Sequence, residues 1–212
     1  MTTPYALCPM PSFQHFTLIF VGRSGSGKGT QAELIIKELA RQGCPEDKIL
    51  YVETGKRFRQ FLAGDNMAAD QARTVMENGE LQPAFLSITM WANVFVEELR
   101  PEHEHVLLDG SPRRLDEAKV LDQALTFFER KKPIVINVQV SETWARERLT
   151  ARHRTDDARP GDIDKRFAWF ARDVVPVIEW YRINPDYTFL EVNGEQTVEQ
   201  VQSEIFAKLG LK

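Results

Sequence analysis

The apolar run Phe16–Val21 passes directly into Gly22-Arg23-Ser24-Gly25-Ser26-Gly27-Lys28-Gly29-Thr30, and a helical pattern follows from Gln31 to Arg41. Strand, glycine-rich loop and helix in that order leave few folds open. Gly22, Gly25 and Gly27 let the backbone turn tightly and aim successive N–H groups inward. Lys28 adds a point charge, and the N-terminus of the next helix adds a positive dipole end. A glycine-rich turn can also be an ordinary turn. Here the spacing G-x(4)-G-K, the flanking strand and helix, and the Gly-Thr after the lysine all argue for a cradle around a phosphate chain. Gly25, Ser26, Gly27, Lys28, Gly29 and Thr30 are the candidate contacts.

Four further apolar runs, Ile49–Val52, His105–Leu108, Ile134–Val140 and Tyr187–Val192, alternate with helical patterns. That alternation predicts an α/β fold, a five-stranded parallel sheet with helices on both faces. Right-handed crossovers then gather the loops after the strands along one edge, where ligands bind. Two stretches exceed a simple crossover. Thr54 to about Arg100 holds three helical patterns. The segment around Arg152–Arg166 carries Asp156, Asp157, Pro160 and Gly161 and splits a pair of helices. Both read as lobes over the strand ends, suited to excluding water from a phosphate.

At 212 residues the chain suits one large domain, or one domain with small inserted lobes. A net charge of −4 gives no global field toward nucleic acid. The charge is uneven, however: seven arginines fall between Arg146 and Arg172, a concentration suited to clamping anions. The two cysteines, Cys8 and Cys44, form no C-x-x-C pair, which argues against a zinc site or a disulfide framework. No apolar run approaches the length of a membrane span. Residues 1–14 carry Pro4, Pro9 and Pro11 and no positive n-region, so they read as a loosely ordered, flexible leader, and a cytoplasmic protein follows.

His105-Val106-Leu107-Leu108-Asp109-Gly110 is an apolar strand ending in aspartate. Beside a phosphate loop such an aspartate holds magnesium, directly or through water; the competing reading is a helix cap. Arg113, just beyond that strand, and Arg59, a helical turn after Thr54-Gly55, fall at the same edge. One surface arginine is normally just solvated. Two from separate strand ends suit a second phosphate-bearing substrate.

Over about residues 15–210 these residues resemble adenylate kinase and its nucleoside monophosphate (NMP) kinase relatives. Gly27-Lys28-Gly29-Thr30-Gln31 is similar to that family's phosphate loop, and Thr54-Gly55 with Arg59 to its Thr-Gly-x-x-x-Arg motif. Gly79-Glu80-Leu81-Gln82-Pro83 resembles Gly-x-Leu-Val-Pro, and Asp109-Gly110-Ser111-Pro112-Arg113 resembles Asp-Gly-Phe-Pro-Arg. Arg148, Arg152, Arg154, Asp156, Asp157 and Arg166 resemble the arginines and paired aspartates of its lid, and Asn193-Gly194-Glu195-Gln196 its last turn.

The resemblance implies a core of residues 15–53, 85–150 and 167–212, an NMP-binding lobe at 54–84 and a short lid at 151–166 without a zinc-binding insertion. It implies a monomer that takes no zinc and transfers the ATP γ-phosphoryl reversibly to a monophosphate with Mg2+. Lys28 and the loop amides would hold the β- and γ-phosphates, and Asp109 with Thr30 the magnesium. Arg59 and Arg113 would hold the acceptor phosphate, with Thr54, Gly55, Glu80, Leu81, Gln82 and Gly110 around the acceptor. Arg152, Arg154 and Arg166 would close on the transferring group, Arg154 and Arg166 also reaching the acceptor. Arg148 would stack on the ATP adenine, which Gln196 would also meet. Asp156 and Asp157 would orient lid arginines.

Departures from the pattern fall in the acceptor site. Lys56 replaces an aspartate and is expected to face phosphate; Ser111, Arg114 and Gln82 also differ. Glu117 stands where the family places a glutamine that reads the adenine edge. An ionised glutamate only accepts hydrogen bonds. AMP is the expected acceptor, with GMP or CMP as alternatives; a small-metabolite kinase and a nucleotide-binding protein without turnover are the competing functions. Trp91, Phe95, Leu99, Phe127, Phe128, Trp169, Phe170, Trp180 and Tyr181 read as core, and His103 to His105 as a surface loop.

Overall fold

In the computed structural model, residues 15–151 and 161–211 are described. Strand β1 (Thr17–Val21) is buried at all five positions, so both its faces need cover. It lies at the centre of a five-stranded sheet with β2 (Ile49–Glu53), β3 (His105–Asp109), β4 (Ile134–Gln139) and β5 (Thr188–Asn193), in the order β2-β3-β1-β4-β5. Every neighbouring pair is parallel. The strands begin and end within about a residue of the expected runs.

Side chains alternate across the sheet. Leu18, Phe20, Leu107, Ile136 and Val138 pack with Ala32, Ile35 and Leu39 of α1 (Lys28–Arg41) and with Val201 and Ile205 of α9 (Val198–Leu209). Ile19, Val21, Val106, Leu108 and Val135 meet the other layer. That layer supplies Trp91 and Phe95 of α4 (Ala84–Glu98), Leu121 of α5 (Leu115–Phe127) and Tyr181 of α8 (Val175–Ile183). Each fully buried aliphatic side chain contributes roughly 1.5–3 kcal/mol before chain entropy is subtracted.

Between β2 and β3 the chain forms α2 (Thr54–Phe61), α3 (Met67–Glu77) and α4, the three helices expected there. Asn66 starts α3 by accepting from the Ala69 N–H at 2.9 Å, as an N-cap should. After β4 come α6 (Glu142–Ala151) and α7 (Asp162–Trp169), and a π-helical turn, Phe170–Val174, joins α7 to α8. The lid residues Arg152, Arg154, Asp156 and Asp157, and the leader 1–14, lie outside the described residues.

The sheet edge away from the phosphate loop is tied by Arg130. Its guanidinium donates to the carbonyls of Phe16, His103 and Glu104 and to Thr17 Oγ1, at 2.8–3.2 Å.

Two sequence readings are corrected here. His105 opens β3 and is buried beside Glu104 instead of lying in a surface loop. Its Nδ1 accepts the Phe16 N–H at 3.2 Å, because β1 needs a partner for that amide where the ladder begins. Phe127, the last residue of α5, is exposed; the helix's buried stripe runs through Ala118, Leu121 and Leu125, and Phe128 continues it against Phe95.

Burial pushes the His105 imidazole down from 6.5 to about 4. The unfolded chain therefore takes up this proton near pH 6.5 while the folded chain waits until about 4, so His105 lowers stability progressively as pH falls through that window. Denaturant unfolding of His105→Gln against wild type between pH 7.5 and 5 is the check. The variant should lose less stability over that interval, and equal losses would contradict the assignment.

Candidate functional site

The C-terminal ends of β1, β2 and β3 open on one cleft of about 700 Å³. In a doubly wound sheet this is where ligands bind, beside the strand at which the order reverses. The chain leaves β1 for β2, beyond β3 on one side, and later leaves β3 for β4 on the other side of β1, so the loop 22–27 sits at that point. Gly22 begins the loop at φ +135°, and a Cβ there would lie 2.5 Å from the Val138 carbonyl oxygen. Only glycine lets the loop leave β1 so close to β4. Gly27 then opens α1 at its N-cap.

Lys28 folds back over this loop. Its Nζ donates to the carbonyls of Gly22 at 2.9 Å and Arg23 at 2.7 Å and lies 3.4 Å from Ser26 Oγ. Ser24, Gly25, Gly27, Lys28, Gly29 and Thr30 line the cleft, whereas the buried Ser26 side chain faces Lys28 within the loop. Arg23, which the sequence reading did not single out, braces the loop from outside. Its guanidinium lies 4.4 Å over the Phe170 ring and 3.3 Å from Glu142.

Asp109 ends β3 in the cleft, against the loop: a Cβ at Gly29 would lie 3.0 Å from its Oδ2. Burial raises its proton affinity, and the charges of Lys28 and Arg113 pull it back. Asp109 and Thr30 thus bring two hard oxygen donors to one end of the cleft, a set that fits Mg2+. Tyr51, Glu53 and Glu33 line the cleft near them and escaped the sequence reading, since nothing in their spacing marks them. Burial, then the charges of Asp109, Glu53 and Glu33, raise the Tyr51 phenol, which stays a neutral donor.

The cleft is also lined by Thr54, Gly55, Arg59, Glu80, Leu81, Gln82, Gly110, Arg113 and Glu117. Arg59 Nη2 rests 2.7 Å from Glu53 Oε1, and Arg113 Nε donates to the Gly110 carbonyl at 2.7 Å. Among the described residues, the buried Thr54 Oγ1 and Gln82 Oε1 have no hydrogen-bond partner. Buried polar atoms of this kind call for a ligand or water. Glu117, 1% exposed, accepts the Arg113 N–H on Oε2 at 3.0 Å and is hydrogen-bonded by the Ser87 hydroxyl. Burial pushes its carboxyl up, against the Arg113 amide bond and the arginine charges.

Arg148 of α6 and Arg166 of α7 also line the cleft. Arg148 lies 5.1 Å over the Trp144 ring, and Arg166 Nη1 is 3.4 Å from Ser24 Oγ. Trp169, read as core, belongs to both: it is buried in the core layer and also lines the cleft under the Arg113 guanidinium, at 5.6 Å.

Three expected placements differ. Gln196 turns onto its own loop and α9, donating to Asn193 O at 2.8 Å and Glu204 Oε2 at 2.9 Å, and does not line the cleft. Lys56 is exposed, one residue past the glycine of Thr-Gly, where α2 turns it outward. Arg114 points to Asp173 at 3.1 Å, so this departure from the family pattern joins α5 to the π-helical turn.

A parallel sheet with a phosphate loop, an acidic strand end and arginines converging from two sides defines a nucleotide-binding phosphotransferase of the phosphate-loop class. The family model for adenylate kinase matches residues 20–185. An adenylate kinase of Corynebacterium urealyticum is 31% identical over 184 residues, covering 87% of this chain and 93% of its own. Adenylate kinase 1 of Synechocystis is 32% identical, covering 89% of this chain and 94% of its own. The adenylate kinase of Petrotoga mobilis is 27% identical over 89% of this chain and 95% of its own. The chain belongs to the adenylate kinase family.

Gly22→Ala is expected to weaken ATP binding by tenfold or more while the protein still folds, because the loop must shift from Val138. Calorimetric ATP affinity together with the melting temperature tests this; unchanged affinity contradicts the close approach.

Proposed function

We propose that the cleft transfers the γ-phosphoryl group of ATP reversibly to AMP, giving two ADP, with the donor on the loop side and the acceptor on the side of Thr54 and Glu117. The observation that carries this reading is that Lys28 of the phosphate loop with Arg166 of α7, and Arg59 of α2 with Arg113 after β3, all line a single cleft. Two separate cationic sets match two phosphate-bearing substrates, where a hydrolase needs only one.

In this reading residues 54–84 form the acceptor lobe, 151–166 the lid, and the rest of 15–212 the core. Lys28 and the loop N–H groups hold the β- and γ-phosphates. Arg59 releases Glu53 to take the acceptor phosphate together with Arg113. Arg166, with Arg152 and Arg154 of the lid, surrounds the group in transfer and spreads over its equatorial oxygens. Arg148 covers the ATP adenine. Asp109 and Thr30 would hold Mg2+, which would supply positive charge to offset that of the phosphates. The chain's contribution is alignment and fixed charge; no covalent enzyme intermediate is needed.

Acceptor choice falls to Glu117. The carboxylate already accepts the Arg113 N–H and the Ser87 hydroxyl, so the group offers its remaining acceptor capacity to a base. The exocyclic amine of adenine supplies a donor there; the amine of cytosine and the N1–H and 2-amine of guanine can do the same, so CMP and GMP are the alternatives that the assay must separate from AMP. No helix among the described residues is long and apolar enough to cross a membrane. A monomer working in the cytoplasm is the reading that goes with the family resemblance.

The test is diphosphate formation from ATP and magnesium with AMP, GMP, CMP and UMP offered separately. AMP should lead, and Lys28→Ala should abolish turnover. Leadership by GMP overturns the acceptor assignment, and turnover that survives Lys28→Ala overturns the mechanism. Glu117→Gln should keep the AMP KM within about fivefold, whereas Glu117→Leu should raise it about 10-fold or more, as expected for a buried polar partner worth about 1–3 kcal/mol.

A further inference from the structure

The stretch 162–174 touches both the phosphate loop and the segment between α3 and α4. Asp162, Arg166 and Trp169 line the cleft, and Arg166 reaches Ser24 of the phosphate loop at 3.4 Å. Lys165, the adjacent residue, turns away onto the segment between α3 and α4. Its Nζ donates to the Asn78 carbonyl at 2.8 Å. Its stem covers Gly79, where a Cβ would lie 2.5 Å from Lys165 Cδ. Two helical turns on, Arg172 lies 3.4 Å from Glu80.

The Asn78 carbonyl is at the C-terminus of α3, where the last carbonyls carry partial negative charge and lack intrahelical donors. An ammonium group brought there from another element is well placed. Gly79, at φ +71°, closes that helix and leaves room for the lysine stem. The exposed Arg172–Glu80 pair adds little by itself, so the grip depends on Lys165. No glycine or proline interrupts 162–174, so a shift at Lys165 is carried to Arg166 by continuous helix.

We propose that Lys165 is a positioning residue that couples the two substrate subsites through α7. Ordering of residues 78–82 around an acceptor fixes Lys165, and Lys165 fixes the neighbouring Arg166 against the phosphate loop. By linkage, a donor held at the loop must then tighten the acceptor by the same factor. The inference rests on the reading of residues 54–84 as the acceptor lobe.

Calorimetry of AMP binding, with and without a non-hydrolysable ATP analogue, tests it on wild type, Lys165→Met and Lys165→Arg. The methionine keeps an apolar stem against Gly79 and removes the donor; the arginine restores a donor. Wild type should bind AMP several-fold tighter when the analogue is present. Lys165→Met should lose most of that factor, with analogue affinity measured alone unchanged within twofold and an unchanged melting temperature, and Lys165→Arg should recover it. In steady state, Lys165→Met should raise the AMP KM more than it lowers kcat. Normal AMP binding with an equal factor in wild type and Lys165→Met, or no factor in wild type, overturns the coupling. Failure of wild type to bind AMP at all overturns the acceptor reading as well.

Discussion

The hydrogen bonds from Lys28 Nζ to the carbonyls of Gly22 and Arg23 fix the shape of the loop that the rest of the cleft is arranged around. They turn two carbonyls toward the ammonium, so that the loop can present N–H groups to an anion, while the Ser26 N–H donates to the Arg23 carbonyl. That geometry holds only because β1, from which the loop springs, is buried on both faces and paired with β3 and β4 along its length. A rigid strand aims the loop, and the helix after it aims its dipole at the same point.

Charge in the cleft is balanced before any nucleotide arrives. Asp109 sits within the field of Lys28 and Arg113, Arg59 rests on Glu53, and Arg166 reaches Ser24. Each of these cations has a protein partner, which lowers the cost of holding several arginines close together. Thr54 Oγ1 and Gln82 Oε1, without partners among the described residues, belong to residues that line the cleft.

Much of this was legible in the chain. The phosphate loop, Asp109, Arg59 and Arg113 declared themselves because each stands directly after an apolar strand, and parallel strands end on one edge. The places that were misread share a cause. Gln196, Lys56 and Arg114 have the right position along the chain, but a side chain's direction depends on partners remote in sequence: Glu204 for Gln196, the outward turn of α2 for Lys56, Asp173 for Arg114. His105 was misread for a related reason, since the amide it satisfies belongs to Phe16, 89 residues earlier. Tyr51, Glu53 and Trp169 carry no local signal at all and enter the cleft because neighbouring strands and α7 bring them there.

By itself the sequence determined the architecture and the catalytic vocabulary: buried strands alternating with helices, a glycine-rich loop closed by lysine, and arginines after strand ends. Those are local properties, set by backbone sterics and by the period of apolar residues. Tertiary structure alone decided which charged groups meet. It tied one oxygen of Glu117 to the Arg113 amide, took Arg114 out of the cleft, placed Trp169 beneath Arg113, and set Lys165 on the end of α3. The physical reason is that hydrogen bonds and ion pairs act over a few ångströms in space, and only packing of the sheet and its helices settles which distant residues come that close.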